Sequence, residues 1–329
     1  MEISMISNPK VGLVVIGRNL RSTLLQDLKY SDVTPFRVYV DSGSTDGSPE
    51  LARSLEWPVI PLDPPYTPGK GRASGADYLL QLYEDLEYLQ FMDGDCQLEP
   101  SWLKQGLDYL LRYDEIDVVY GLRRERYPNK NIFHRFVNWE WTLSVKGTQP
   151  SFGGDLLIRA ESYRKSGGFR SDMIAGADID YCVRLRKQGF QVKPLESAMT
   201  LHDIALDRWD QWWKRQIRGG YVYAETGWKH RDSALHLREC LSIWFWTLVL
   251  PMLLGLAGFL QALPAIYALQ ILRIFYRMRR EKMSQADALS VALLCMVGKL
   301  PMMIGQMSFL GTLLSGSRRE IIEYADSPG

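Results

Sequence analysis

The chain has 329 residues, 46 % of them hydrophobic and 23 % charged, enough for a domain with a substantial core and something extra. Its formal net charge of +1 supplies no overall field for nucleic acid, so none is expected as a partner. Cys96, Cys182, Cys240 and Cys295 are scattered without a CxxC pair, which fits a reducing compartment and argues against a structural zinc.

Residues 1–10 lack the apolar core of a secretory signal. The run Val11-Gly12-Leu13-Val14-Val15-Ile16, ending at Gly17-Arg18-Asn19, predicts a strand buried on both faces. A helix is expected over 22–30, then a strand over 36–41 that runs into Ser42-Gly43-Ser44-Thr45-Asp46-Gly47. Ser48 reads as an N-cap with Pro49 at the first helical position of a helix over 50–55. A short strand at 59–60 and a helix over 69–84 lead to the apolar run Leu89-Gln90-Phe91-Met92, which delivers Asp93-Gly94-Asp95. Alternating strands and helices predict a doubly wound, mostly parallel α/β sheet. Ligands bind such sheets beyond the carboxyl ends of the strands, where Asp41, Asp93 and Asp95 fall.

Alternate residues of a strand point the same way, so Asp93 and Asp95 are expected to share one target. Two hard oxygen donors suit Mg²⁺ or Mn²⁺ held together with a phosphate. The first turn is not GxGxxG and no GxxxxGK[ST] occurs, which excludes a dinucleotide fingerprint and a P-loop. A nucleotidyltransferase would need a glycine-rich triphosphate loop near the first strand, and none is there.

Val40-Asp41-Ser42-Gly43-Ser44-Thr45-Asp46-Gly47-Ser48 resembles the VDxGSTDGS stretch of family 2 glycosyltransferases of the GT-A fold, with Asp93-Gly94-Asp95 where that family has its DxD. Gly69-Lys70-Gly71-Arg72-Ala73-Ser74-Gly75 is similar to its ARNxG segment. The stretch from Phe152 to Arg159, with Gly167-Gly168-Phe169, resembles its acceptor-side strand and GGF turn; Gly176-Ala177-Asp178-Ile179-Asp180 resembles its GEDxD helix. The resemblance covers about residues 10–230 and implies an inverting transfer from a nucleoside-diphosphate sugar, a UDP-sugar first among them.

By that resemblance Gly17, Arg18, Asn19, Asp41 and Arg72 bind the donor, and Asp93, Asp95 and His202 hold a divalent metal, Mn²⁺ or Mg²⁺, at its diphosphate end. Arg215 and Arg218 are further candidates for the diphosphate, in a stretch that lacks a clean QxxRW. Asp178 is the candidate general base; Gly153, Gly154, Asp155 and Asp180 belong to the acceptor side. Ala177 stands where the family has glutamate, which favours a competing reading as a non-catalytic nucleotide-sugar-binding member; retention of Asp93, Asp95 and Asp178 opposes it. Trp209, Trp212 and Trp213 fall at helical spacing and read as core or membrane-interface anchors.

Composition changes near residue 240: no charged side chain occurs over 240–272, with Lys229, Arg231 and Arg238 before it and Arg273, Arg277, Arg279, Arg280 and Lys282 after. Basic flanks on one side of a membrane predict a re-entrant or kinked hairpin rather than a single span. The second apolar segment, 288–314, carries Lys299 and Pro301 mid-way, which suits a membrane-surface helix pair as well as a span. The expected division is a catalytic domain over 1–235 and a helical membrane-associated region over 236–329. The whole reads as a hexosyltransferase of the polysaccharide-building type at the bacterial inner membrane, with its catalytic domain cytoplasmic. Its acceptor is either polyprenyl phosphate or a hydroxyl on a lipid-linked or growing glycan.

Overall fold

Strand β1 (Val11–Gly17) carries no charged side chain and all but its last residue are buried, so it can sit only inside a sheet. In the computed structural model, which describes residues 9–20, 36–145 and 151–316, it pairs in parallel with β2 (Phe36–Asp41) on one side and β4 (Tyr88–Asp93) on the other. The helix expected over 22–30 lies outside the described residues. Strand β3 (Val59–Pro61) extends the parallel half beyond β2. Helices α1 (Ser48–Ser54) and α2 (Pro68–Leu82) make the crossovers. Helix α1 begins one residue earlier than expected, with Gly47 as N-cap, because Asp46 Oδ1 accepts the Ser48 N–H (3.0 Å).

The other half of the sheet is mixed. Strand β7 (Leu156–Arg159) runs antiparallel to both β4 and β6 (Val118–Glu125); β8 (Val192–His202) lies parallel to β6 and takes β5 (Cys96–Leu98) antiparallel at its outer edge. The order is β3-β2-β1-β4-β7-β6-β8-β5. Helices α3 (Trp102–Arg112), α5 (Ala160–Ser166) and α6 (Ala177–Lys187) belong to the same unit. The polar Gln90 is fully buried in β4 and accepts from the indole N–H of Trp102 (2.9 Å), which removes the cost of an unpaired amide in the core.

The described backbone divides into two compact units, the first holding the sheet and the second formed by Tyr127–Trp139 and residues 204–316. Helix α7 (Trp209–Lys229) belongs to the second of these units, with the helices that follow it. Helix α4 (Ile132–Val145) contributes to both units.

In the second unit α8 (Leu237–Trp244) continues through a π-helical turn, Phe245–Val249, into α9 (Leu250–Leu256). The chain then turns at Gly258 (φ 77°) and returns as α10 (Leu263–Arg280), whose Tyr267 hydroxyl donates to the Trp246 carbonyl (2.6 Å). The uncharged run over 240–272 thus folds back on itself. Helices α11 (Gln285–Val297) and α12 (Lys299–Ser315) follow, and Lys299 Nζ donates to Ser242 Oγ (3.0 Å). Helices α7 and α12 cross at bare backbone: a Cβ on Gly220 would lie 2.0 Å from the Met302 carbonyl oxygen, and one on Gly305 2.0 Å from that of Ile217. Two helical stretches, Leu237–Leu256 and Gln285–Ser315, are long and apolar enough to cross a membrane.

Candidate active site

Parallel pairing sets Gly17 beside Asp41 and Ile16 beside Asp93, so the ends of β1, β2 and β4 meet at one edge. Asp41 is buried there; its Oδ2 accepts from the backbone N–H of Gly43 (3.0 Å) and Ser44 (3.1 Å), and its Oδ1 from the Tyr39 hydroxyl (2.8 Å). Asn19, at φ 52°, accepts from Thr45 N–H (2.8 Å), and its own N–H donates to Ser44 Oγ (2.8 Å). Arg18 is exposed beside them. The structure therefore brings Gly17, Arg18, Asn19 and Asp41 together, with Asp41 and Asn19 also shaping the loop over 42–47.

Asp93 and Asp95 have different partners within the protein. Extended backbone stops at Asp93; Gly94 and Asp95 form a turn, with Gly94 N–H donating to the Ile16 carbonyl (2.7 Å). The space left by the missing side chain of Gly94 is taken by Leu20, 2.1 Å from where a Cβ would sit. Asp93 is gripped by two guanidiniums, Arg72 on one oxygen and Arg123 Nη2 on the other (3.1 Å). Asp95 is exposed and faces His202 Nε2 (3.1 Å), which β5–β8 pairing delivers by placing Cys96 opposite His202.

Beneath Asp93 lies a network that the sequence reading missed. Asp155, fully buried, accepts the Asp93 N–H (3.0 Å), the Thr200 hydroxyl (2.8 Å), and Arg123 through Nε (3.1 Å) and Nη2 (2.7 Å). Burial pushes the Asp155 carboxyl up from its ordinary value while the Arg123 guanidinium pulls against that. Asp155, expected to meet the acceptor, instead braces Arg123 and has no exposed surface. Arg123 also lies over the Trp141 ring (5.7 Å), and that ring meets the His202 imidazole edge-on (4.5 Å). The apolar run 118–122 ahead of Arg123 is a strand signal of the same kind as 11–16; Trp141 has no local signature. Gly154 (φ 94°) must be glycine, since a Cβ would lie 2.2 Å from Arg72 Nη2; it belongs beside Arg72 and Asp93.

Asp178 stands half-buried in the first turn of α6. Ser151 Oγ donates to its Oδ2 and in turn accepts the Gly153 N–H (2.9 Å), which aims the hydroxyl proton at the carboxylate. Asp180 points the other way: it is fully buried and accepts from Arg184 Nε (2.8 Å) and Arg170 Nη1 (3.4 Å), so it anchors α6 rather than facing an acceptor. Ala177 is buried against Gly69, its Cβ 3.0 Å from where a glycine Cβ would be, so in this chain the position serves helix packing. Arg215 and Arg218 are half-buried on α7, in the second unit.

The ligand atoms of Asp95, Cys96 and His202 lie within 4.8 Å of one another. Burial pushes the Cys96 thiol well above its ordinary range, so it stays protonated and a poor ligand. Desolvation works to raise the Asp95 carboxyl, but the His202 imidazole, by charge and hydrogen bond, and the Arg123 guanidinium bring it down to about 2. A carboxylate and an imidazole 3.1 Å apart match neighbouring ligands on an octahedral ion with bonds of about 2.1 Å, and His202 Nδ1 is a buried ring nitrogen without a hydrogen-bond partner among the described residues. The donor set fits Mn²⁺ or Mg²⁺ completed by phosphate oxygens. Asp93, expected as a third ligand, has both oxygens on guanidiniums and stands outside this cluster.

Residues 15–171 match the family model described as Glycosyl transferase family 2. No curated protein matches the chain. Among solved structures, the fold is similar to that of the mannosyltransferase PcManGT from Pyrobaculum calidifontis in complex with GDP-Man and Mn²⁺, with TM-score 0.56 and 17 % identity over 93 % of this chain and 88 % of that one. It is also similar to S. aureus TarS 1-349, with TM-score 0.51 and 17 % identity over 88 % and 92 % of the two chains. The chain carries a family 2 glycosyl transferase domain of the GT-A fold and is a glycosyltransferase.

Proposed function

We propose that the chain is a metal-dependent, inverting glycosyltransferase that passes a sugar from a nucleoside-diphosphate donor to a lipid-linked or glycan acceptor at the cytoplasmic face of a bacterial membrane. The observation that carries this reading is the pairing of Asp95 with His202 (3.1 Å) beside an Asp93 already neutralised by two guanidiniums. Asp95 and His202 would hold the Mn²⁺ or Mg²⁺, which when bound supplies charge neutralisation for the leaving diphosphate. Asp93, oriented by Arg72 and Arg123, faces the ribose and diphosphate; the loop over 42–47, braced by Asp41 and Asn19, borders the nucleoside end.

On the acceptor side Asp178 is the general base. Ser151 occupies its Oδ2, which leaves Oδ1 to take the proton of the attacking hydroxyl. The new bond forms at the anomeric carbon as the bond to the diphosphate oxygen breaks, and the nucleoside diphosphate departs with that electron pair. Exposed leucines along the second unit support the membrane setting, and basic residues at both ends of the 240–272 hairpin support a cytoplasmic side for both.

The test uses the purified full chain with UDP- and GDP-sugars, with and without Mn²⁺, and polyprenyl phosphate or a lipid-linked glycan as acceptor. Mn²⁺-dependent release of nucleoside diphosphate with at least one donor is expected. Asp178→Asn should lower transfer by about 10²–10⁴-fold while donor-induced thermal stabilisation persists. Full transfer by Asp178→Asn would remove the base assignment. Donor binding without turnover in the wild type would favour the non-catalytic reading.

A further inference from the structure

Helix α10 presents two unlike faces. Ile274 and Met278 are buried on one. At 100° per residue, Leu269, Leu272, Arg273, Tyr276, Arg277 and Arg280 fall within an arc of about 140° on the other. All six are exposed, with Leu269 at 66 % and Tyr276 at 62 %. Charge is graded along the axis: Leu263 to Leu272 holds none, and every cation lies from Arg273 onward. Cations in the last turn of a helix suit its dipole, which accounts for Arg277 and Arg280 but neither for Arg273, two turns in, nor for the bare leucines. A merely solvated face would not keep large apolar side chains in line with the arginines.

We propose that this face of α10 is a docking surface for an anionic lipid bilayer: Leu269, Leu272 and Tyr276 enter the acyl boundary while Arg273, Arg277 and Arg280 pair with headgroup phosphates. The inference rests on the membrane part of the proposed function and adds the class of lipid and the residues that read it. Length agrees with this: Leu269 and Arg280 are eleven residues apart, about 16 Å along the axis, which reaches from the upper acyl region to the headgroups in an oblique helix. The surroundings agree too, since Leu256 of the neighbouring hairpin arm is 81 % exposed and α12 is apolar over its outer face. A second copy of the chain is a poor occupant, because α10 holds no carboxylate, so two copies of this face would offer its arginines only leucines or other arginines whichever way they meet. A polyanionic glycan would have no use for the leucines.

The experiment floats the full chain with vesicles of phosphatidylcholine alone or with 30 % phosphatidylglycerol, at low and high NaCl. Partition onto the anionic vesicles should be tighter by on the order of ten- to a hundredfold at low salt, and the preference should shrink as salt screens it. The variant Arg273→Gln/Arg277→Gln/Arg280→Gln should bind neutral vesicles as the wild type does and lose most of the preference, with unchanged thermal unfolding and donor binding. Equal binding of the wild type to both vesicles, or a triple variant that keeps the preference, overturns the proposal while leaving the membrane reading in place. Failure to bind vesicles of either kind overturns both. A dimer in detergent that the triple variant abolishes would assign the face to a second copy instead.

Discussion

Asp155→Asn isolates the charge network under the donor edge. The substitution keeps shape and one acceptor oxygen, so Asp93 N–H can remain bonded, but it removes the charge that faces Arg123 at 2.7 and 3.1 Å. Asp155 is fully buried and Arg123 largely so; breaking a buried ion pair from one side costs about 3–5 kcal/mol when the other charge is left without compensation, and here Arg123 keeps Asp93. Asparagine retains part of the bonding, so the lower end applies, about 3 kcal/mol, or a fall of about 6–12 °C in the unfolding midpoint of a domain of this size. Thr200→Val calibrates the measurement: it deletes one hydroxyl bond to the same carboxylate (2.8 Å) and should cost about 1–2 kcal/mol. Urea unfolding of the full chain, followed by tryptophan fluorescence, reads both. Arg123, losing its deeper partner, should shift toward Asp93, and donor binding should fall with stability. If Asp155→Asn costs no more than Thr200→Val, the pair is not acting as a buried charge network and the account of Arg123 fails.

Three further outcomes follow from the same geometry. His202→Ala should weaken Mn²⁺ binding in the presence of nucleoside diphosphate by about tenfold or more, read from the free-Mn²⁺ resonance, whereas Cys96→Ala should leave it unchanged; equal losses would make the thiol a ligand after all. Burial pushes the Cys182 thiol up to about 12 and Cys96 also upward, so both stay neutral at pH 8 and should resist thiol reagents until the chain unfolds or the pH approaches those values. Rapid native labelling at either would contradict their burial. Gly220→Ala drives a Cβ to 2.0 Å from the Met302 carbonyl and should destabilise the second unit by about 1–3 kcal/mol, whereas Gly311→Ala meets open space and should stabilise it slightly. Similar urea midpoints for the two variants would refute the close crossing of α7 and α12.

The parallel half of the sheet was legible because β1, β2 and β4 are short apolar runs ending in polar turns, and a parallel sheet must bury both faces of such strands. The edge where Asp41 and Asp93 meet follows from that alone. What lay out of reach depends on pairings far apart in the chain: Asp93 is joined to Arg123 across 30 residues and to Asp155 across 62, and Asp155 to Thr200 across 45. Only the insertion of antiparallel β7 beside β4 brings these groups together, and no local spacing announces it.

The same insertion explains why two aspartates that look alike in the sequence are chemically different. Asp93 sits over Arg123 with Arg72 on its other side, so its charge is already met by protein and it has little left to offer a cation. Asp95, one turn residue further on, has left the strand, stands exposed, and has an imidazole as its close partner. A divalent ion gains most from a carboxylate whose charge is not already neutralised by a guanidinium, which is why the proposed function gives the metal to Asp95 and His202. On the proposed reading the first aspartate works by being held still: Arg72 and Arg123 offset the charges of Asp93 and Asp155, and the positive charge at the leaving-group end would come from the metal.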